Sequence, residues 1–137
     1  MDEMSATSDH MIVVDDLHKH FGGFHAVDGS TLTIDRGSIT GLIGPNGAGK
    51  TTTIEILEGF RERTSGDVLV LGQDPQKAPR QWRENIGIVL QESQPDQDLT
   101  ARESVSMYAS YYEAPRPVDQ VLSLVGLADS AGQRTKA

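Results

Sequence analysis

Along this chain apolar residues gather in short runs separated by turn-forming clusters. Met11-Ile-Val-Val-Asp-Asp-Leu17 groups β-branched residues and predicts a strand. Phe21-Gly-Gly23 breaks it, and an extended pattern resumes over residues 26–34, where Val27, Leu32 and Ile34 are apolar among polar neighbours. Asp35-Arg-Gly37 predicts a turn, and Ser38-Ile-Thr-Gly-Leu-Ile43 a short buried strand after it. Over residues 51–58 the period changes, with Ile54, Leu57 and Glu58 at helical spacing. Thr64-Ser-Gly-Asp67 reads as another turn and Val68-Leu-Val-Leu71 as another strand. A short helix over residues 79–85 and a buried strand, Ile86-Gly-Ile-Val-Leu90, follow.

From Thr100 the character changes. Thr100-Ala-Arg-Glu103 fits a capping box, with Thr100 as N-cap and Glu103 at N3. Val105, Tyr108, Ala109 and Tyr112 then recur at helical spacing until Pro115 and Pro117 end the helix. Residues 118–125 predict a second helix, stopped near Gly126. Strands first and helices afterwards indicate a mixed α/β core followed by a helical segment.

Between the predicted strand at 38–43 and the helix at 51–58 lies the chemistry. Gly44, Gly49, Lys50 and Thr51 satisfy G-x-x-x-x-G-K-S/T, the phosphate-binding loop of P-loop nucleotidases. Gly44, Gly47 and Gly49 let the backbone turn tightly and aim N–H groups inward, a concavity suited to anionic oxygens. Pro45, Asn46 and Ala48 complete the loop, which runs into a helix N-terminus whose dipole adds positive potential. Lys50 is expected to reach the β- and γ-phosphates of a nucleotide such as ATP, and the Thr51 hydroxyl to ligate Mg²⁺. Thr52 can supply one more hydroxyl or backbone donor on the α/β side.

Composition narrows this further. The 137 residues fit one domain with a real core. Twelve Lys and Arg against 20 Asp and Glu give a net charge of −8, which argues against a dedicated nucleic-acid or anionic-membrane binder. With no cysteine there are no disulfides and no thiolate metal sites. No apolar run approaches the ~18 residues of a membrane span, and the polar, acidic opening over residues 1–10 reads as a disordered tail without a signal core. The expectation is a soluble, cytoplasmic chain. His18, His20 and His25 cluster, and positions 18 and 20 share a strand face. Asp15 and Asp16 are near, but no cysteine or carboxylate-rich set completes a metal site, so a solvated strand edge is the reading. Trp82 reads as the anchor of its short helix, and Tyr108, Tyr111 and Tyr112 as helix packing or partner contact.

The residues around the loop carry a resemblance. Gly-Pro-Asn-Gly-Ala-Gly-Lys-Thr-Thr, preceded by Ala26-Val-Asp28 and Asp35-Arg-Gly-Ser-Ile39, resembles the nucleotide-binding subunit of an ABC transporter. Ser65-Gly-Asp-Val-Leu-Val-Leu-Gly72 and Ile86-Gly-Ile-Val-Leu-Gln91 extend it over nearly everything from residue 11 onward. Glu58-Gly-Phe60 and its continuation are most similar to bacterial drug-exporter ATPases. The implied fold is an α/β P-loop nucleotidase core with an N-terminal antiparallel β portion, an incomplete sheet and the start of a helical subdomain. The corresponding division is a tail at 1–10, a nucleotide-binding core at 11–98 and the helical start at 99–137.

The resemblance also assigns roles. Phe21 sits where the family places an aromatic that stacks on adenine, and Val27 packs on the other side of the base. Gln91 matches the family's Q-loop glutamine, whose carbonyl reaches Mg²⁺ and the attacking water, so Lys50 and Gln91 are the catalytic candidates and Thr51 and Gln91 the Mg²⁺ ligands. The implied partners are a transmembrane permease subunit and a second ATP-binding subunit in a head-to-tail dimer, with no nucleic acid, at the inner face of the cell membrane.

Several family elements do not occur in these 137 residues: the Leu-Ser-Gly-Gly-Gln signature, an apolar strand ending in Asp-Glu, and a switch histidine. Ser130-Ala-Gly-Gln-Arg134 resembles a signature with one glycine replaced, but the family places its signature about a dozen residues after a pair such as Gly126-Leu127. The sequence is therefore expected to be an N-terminal portion ending just before that motif, one that binds ATP weakly and hydrolyses it hardly at all. The alternatives are a nucleotide-binding fragment without catalytic activity and a soluble ABC ATPase acting on ribosomes or DNA; the acidic charge and the single loop count against the latter.

Overall fold

Gly22 and Gly23 turn the chain back on itself between β1 (His10–Phe21) and β2 (Phe24–Asp35). This is seen in a computed structural model that describes residues 9–90 and 96–134. β3 (Ser65–Val70) pairs antiparallel with the other side of β1, giving the sheet order β2-β1-β3. The expected antiparallel β portion is this sheet.

β1 contains a bulge. Its pairing slips between Val14 and Leu17 against β2, and between Asp15 and His18 against β3. Asp16 takes a φ of 48° and donates its N–H to Thr31 Oγ1 at 3.0 Å. An even strand would send Val14 and Leu17 to opposite faces. The extra residue turns both inward, where they are 1% and 0% exposed. Gly66 permits the close approach: a Cβ there would lie 2.2 Å from the Asp16 carbonyl oxygen.

Inside this first unit Val14, Leu17, Val27, Ile56, Val68, Val70 and Trp82 form one core. Val14 faces Val68 and Ile12 faces Val70 across the sheet, so aliphatic pairs stack on the buried face. Ile56 comes from α1 (Lys50–Leu57). Trp82 comes from a 3-10 turn, Arg80–Asn85, and its indole N–H donates to the Val70 carbonyl at 2.9 Å.

Arg63 joins two loops at the edge of this core. It donates through Nη1 and Nη2 to the two Asp74 carboxylate oxygens at 2.7 and 2.8 Å, and through Nε to Gly66 O at 2.7 Å. The hydrogen bond from Arg63 is the main reason the Asp74 carboxyl is held below its usual range, against the opposing effect of burial. A depressed carboxyl pKa adds stability that is fully present above the unfolded value and is lost as pH falls through the folded one. Asp74→Asn is therefore expected to flatten the loss of stability below about pH 4. Urea unfolding midpoints at neutral pH and at about pH 3 would show it; equal acid sensitivity in both proteins would refute it.

Two expected strands are corrected. Residues 38–43 and 86–90 are in no strand, and among the described residues nothing pairs with them. Ile43 is 94% exposed and Val89 96%. An apolar run signals a demand for burial; a ladder also needs a partner backbone, which the described residues do not offer these two segments. The turn expected at 64–67 is also shorter, because β3 begins at Ser65.

The chain divides between Gly87 and Ile88 into two compact units. In the second, α2 (Ala101–Ala109) starts with the expected capping box: Glu103 N–H donates to Thr100 Oγ1 at 3.2 Å, and Thr100 N–H to Glu103 Oε2 at 2.8 Å. α2 ends before Tyr112, and Tyr108, Tyr111 and Tyr112 are all exposed, the Tyr108 and Tyr111 rings meeting edge to face with centroids 6.1 Å apart. α3 (Val118–Leu124) ends at Gly126, φ 72°, with Leu127 N–H donating to Leu122 O at 2.8 Å. Ala101, Leu122 and Ala131 form the small core of this unit. The segment Ser130-Ala-Gly-Gln-Arg134 serves α2 directly, since the Ala131 and Gln133 carbonyls accept from Arg102 and Ala101 N–H at 3.0 and 3.2 Å. Among the described residues no helix is long and apolar enough to cross a membrane.

Candidate phosphate-binding site

Residues 44–49 form a turn seated against the hairpin. Ala48 N–H donates to Pro45 O at 3.2 Å, and Gly47 holds the third position of that turn at φ 83°, where glycine is strongly favoured. Gly49 follows in the left-handed region, φ 80°, as the N-cap of α1. A Cβ on Gly49 would lie 2.1 Å from the Ala26 carbonyl oxygen and 3.2 Å from Val27 Cγ2, so the loop packs flush on β2. A Cβ on Gly47 would meet nothing within 4 Å. One glycine is needed for packing inward and the other leaves the outer side open.

Lys50 folds back over this turn. Its ammonium donates to the carbonyls of Gly44 and Pro45, both at 2.7 Å. The positive charge is thereby centred on the loop, beside the first-turn N–H groups of Lys50, Thr51 and Thr52, which have no acceptor within the helix. Gly44, Pro45, Asn46, Gly47, Ala48 and Thr51 are exposed, and Thr52 is half-buried. Thr53 is buried, and its hydroxyl donates to Gly49 O at 2.9 Å, within the helix start. The donor set is one ammonium, several amides and two accessible hydroxyls, which suits a cluster of anionic oxygens.

Phe21 ends β1, 43% exposed. Lys19 Nζ and the Arg61 guanidinium lie 5.0 and 5.1 Å from its ring centroid. Lys19 pairs with Val27 across the hairpin, and Val27, 4% exposed, is a core residue beside Gly49. Phe21, Val27 and the loop are thus brought to one side of the hairpin. Gln91 lies outside the described residues. Lys19 and Arg61 escaped the sequence reading. The alternation of a strand places Lys19 on the face of Phe21, but no local signal marks Arg61, which lies beyond α1.

A Gly-x-x-x-x-Gly-Lys-Thr loop between an antiparallel sheet and a helix is the layout of the P-loop class. The chain belongs to the ABC transporter family, whose family model matches residues 27–137. The sulfate/thiosulfate import ATP-binding protein CysA of Mycolicibacterium paratuberculosis is 33% identical over 127 residues, 89% of this chain and 35% of that protein. The probable multidrug ABC transporter ATP-binding protein YbhF of Escherichia coli is 36% identical over 102 residues, 74% of this chain and 18% of that one. Among solved structures, the ATP binding subunit of an ABC transporter superposes with a TM-score of 0.74 at 24% identity, covering 90% of this chain and 54% of the other. The ADP conformation of an ATP-binding cassette gives 0.73 at 24%, covering 92% and 57%. This likeness shows the fold. The chain thus spans about a third or less of these two curated relatives and somewhat over half of these solved chains.

Proposed function

We propose that residues 44–52 bind the phosphates of Mg²⁺-ATP, and that the whole protein hydrolyses ATP to drive a transmembrane permease. The observation that carries this reading is the Lys50 ammonium held by the Gly44 and Pro45 carbonyls at 2.7 Å, at the amide-rich start of α1. ATP phosphate oxygens replace those carbonyls as the acceptors of Lys50 and the loop amides. Mg²⁺, when bound, neutralises phosphate charge; the Thr51 hydroxyl and the Gln91 carbonyl are the side-chain groups that hold it, and Gln91 also orients water. Thr52 supports the α/β side. Phe21 offers its ring to adenine, a contact worth about 1–3 kcal/mol, with Val27 behind the loop.

The whole protein works with a second ATP-binding subunit, head to tail, at the inner membrane face beneath its permease. The nucleotide-binding core at 11–98 and the helical part at 99–137 remain the proposed division; the two compact units themselves divide earlier, between Gly87 and Ile88. The Glu58-Gly-Phe60 stretch supports the drug-exporter branch, and drug efflux from cells carrying the whole protein and its permease is the corresponding readout. No apolar run ending in Asp-Glu occurs in this sequence. We therefore expect the chain alone to bind ATP with little or no turnover.

The test is equilibrium ATP binding with Mg²⁺ on this chain and on Lys50→Ala. Hydrogen bonds to a charged group contribute about 1.5–3 kcal/mol, so the variant is expected to bind roughly tenfold to a hundredfold more weakly. Its circular dichroism should be unchanged, because among the described residues the Lys50 side chain hydrogen-bonds loop carbonyls alone. Equal affinity in the two proteins would overturn the assignment.

A further inference from the structure

The face of the hairpin turned away from Phe21 and Val27 carries its own cluster. His18 pairs with Asp28 and His20 with His25 across the two strands. His18, His20 and Asp28 each offer one ligand atom, and the three atoms lie within 4.8 Å of one another. His18 Nδ1 is already 3.2 Å from Asp28 Oδ1. Ligands about 2.0–2.2 Å from a tetrahedral zinc stand roughly 3.4 Å apart, so modest side-chain rotation closes the set.

Two further observations favour a cation here over a solvated edge. Among the described residues, His20 Nε2 is buried with no hydrogen-bond partner, an unsatisfied polar atom of the kind a coordinated ion would explain. Asp16 Oδ1 lies 3.1 Å from His18 Nε2, the arrangement in which a carboxylate orients a ligating imidazole. His25 stacks on His20 with ring centroids 4.0 Å apart and planes 13° apart, and its Nδ1 is 3.7 Å from Asp28 Oδ1.

We propose that His18, His20 and Asp28 form a binding site for a divalent transition metal of the zinc class, on the hairpin face opposite the phosphate loop. Imidazole and carboxylate donors without thiolates suit Zn²⁺ and its neighbours better than Mg²⁺. Three protein ligands leave a fourth position for water. The bound ion ties β1 to β2 near the hairpin tip. This proposal does not depend on ATP binding.

The experiment is Zn²⁺ titration of the tag-free chain in competition with a chromophoric chelator, alongside His18→Ala, His20→Ala, Asp28→Ala and, as control, His10→Ala. The expected result is one equivalent of Zn²⁺ per chain, weakened at least about tenfold by each of the first three changes and unaffected by the control. Imidazole NMR signals of His18 and His20 in the unsubstituted chain should shift on Zn²⁺ addition while those of His10 stay. This readout decides the matter even where a variant fails to fold. No saturable binding, or shifts confined to His10, would overturn the proposal.

Discussion

Replacing Trp82 by Ala is expected to cost about 3–5 kcal/mol of stability in the first unit, the range for emptying a buried aromatic site. Three features place Trp82 in this class. The side chain is 2% exposed. It joins the core formed by Val14, Leu17, Val68 and Val70 from the sheet and Ile56 from α1. It also donates to Val70 O, which in the variant would keep the Gln73 N–H but lose this second donor. Trp82→Phe separates these contributions in part, since it keeps a six-membered ring but loses the N–H and the five-membered part of the indole. A cost of about 1–3 kcal/mol is expected there. Trp82 is the single tryptophan of the chain, so urea unfolding of both variants must be followed by far-ultraviolet circular dichroism. A loss for Trp82→Ala no larger than for Trp82→Phe would show that the ring volume contributes little.

Gly49→Ala is expected to be comparably severe and to act directly at the loop. The residue sits at φ 80°, where a side chain costs about 1–3 kcal/mol. The new methyl would also stand 2.1 Å from the Ala26 carbonyl oxygen. That neighbour is backbone near the start of β2, between His25 and Val27, which both pair with β1; it cannot swing aside, so the loop must lift off the hairpin at a further cost of about 1–3 kcal/mol. Lifting would move the first turn of α1 and Lys50 with it. The measured outcome should be a lower unfolding midpoint together with weakened ATP binding. Gly47→Ala provides the comparison: its Cβ points into open space, so only the backbone cost at φ 83° applies. If both variants behaved alike, the seating of Gly49 on Ala26 would not be what shapes the loop.

What could be read in the sequence was what depends on near neighbours. The capping box of α2 involves Thr100 and Glu103, three positions apart, and both of its hydrogen bonds form. The letters of the phosphate loop likewise encode their own turn, with Gly47 and Gly49 at the positions that need positive φ. Trp82 was readable as an anchor, though not its acceptor on β3. The bulge at Asp16 was hidden because the residue that makes room for it, Gly66, is fifty positions away. The same holds for Asp28, whose approach to His18 depends on strand register rather than on any local pattern. Residues 38–43 and 86–90 failed for a different reason. Their composition reports how apolar they are, while pairing depends on backbone supplied from elsewhere.

The bulge in β1 acts as a phase switch. Upstream of Asp15 one parity of residue number points into the core; from Leu17 onward it is the other, and Lys19 and Phe21 follow Leu17 while His18 and His20 take the reverse side. Losing a single residue from this stretch would exchange the two sides, carrying the imidazoles toward the loop and the aromatic ring away from it. In this hairpin the number of residues between Val14 and Leu17 therefore matters more than which side chains they carry.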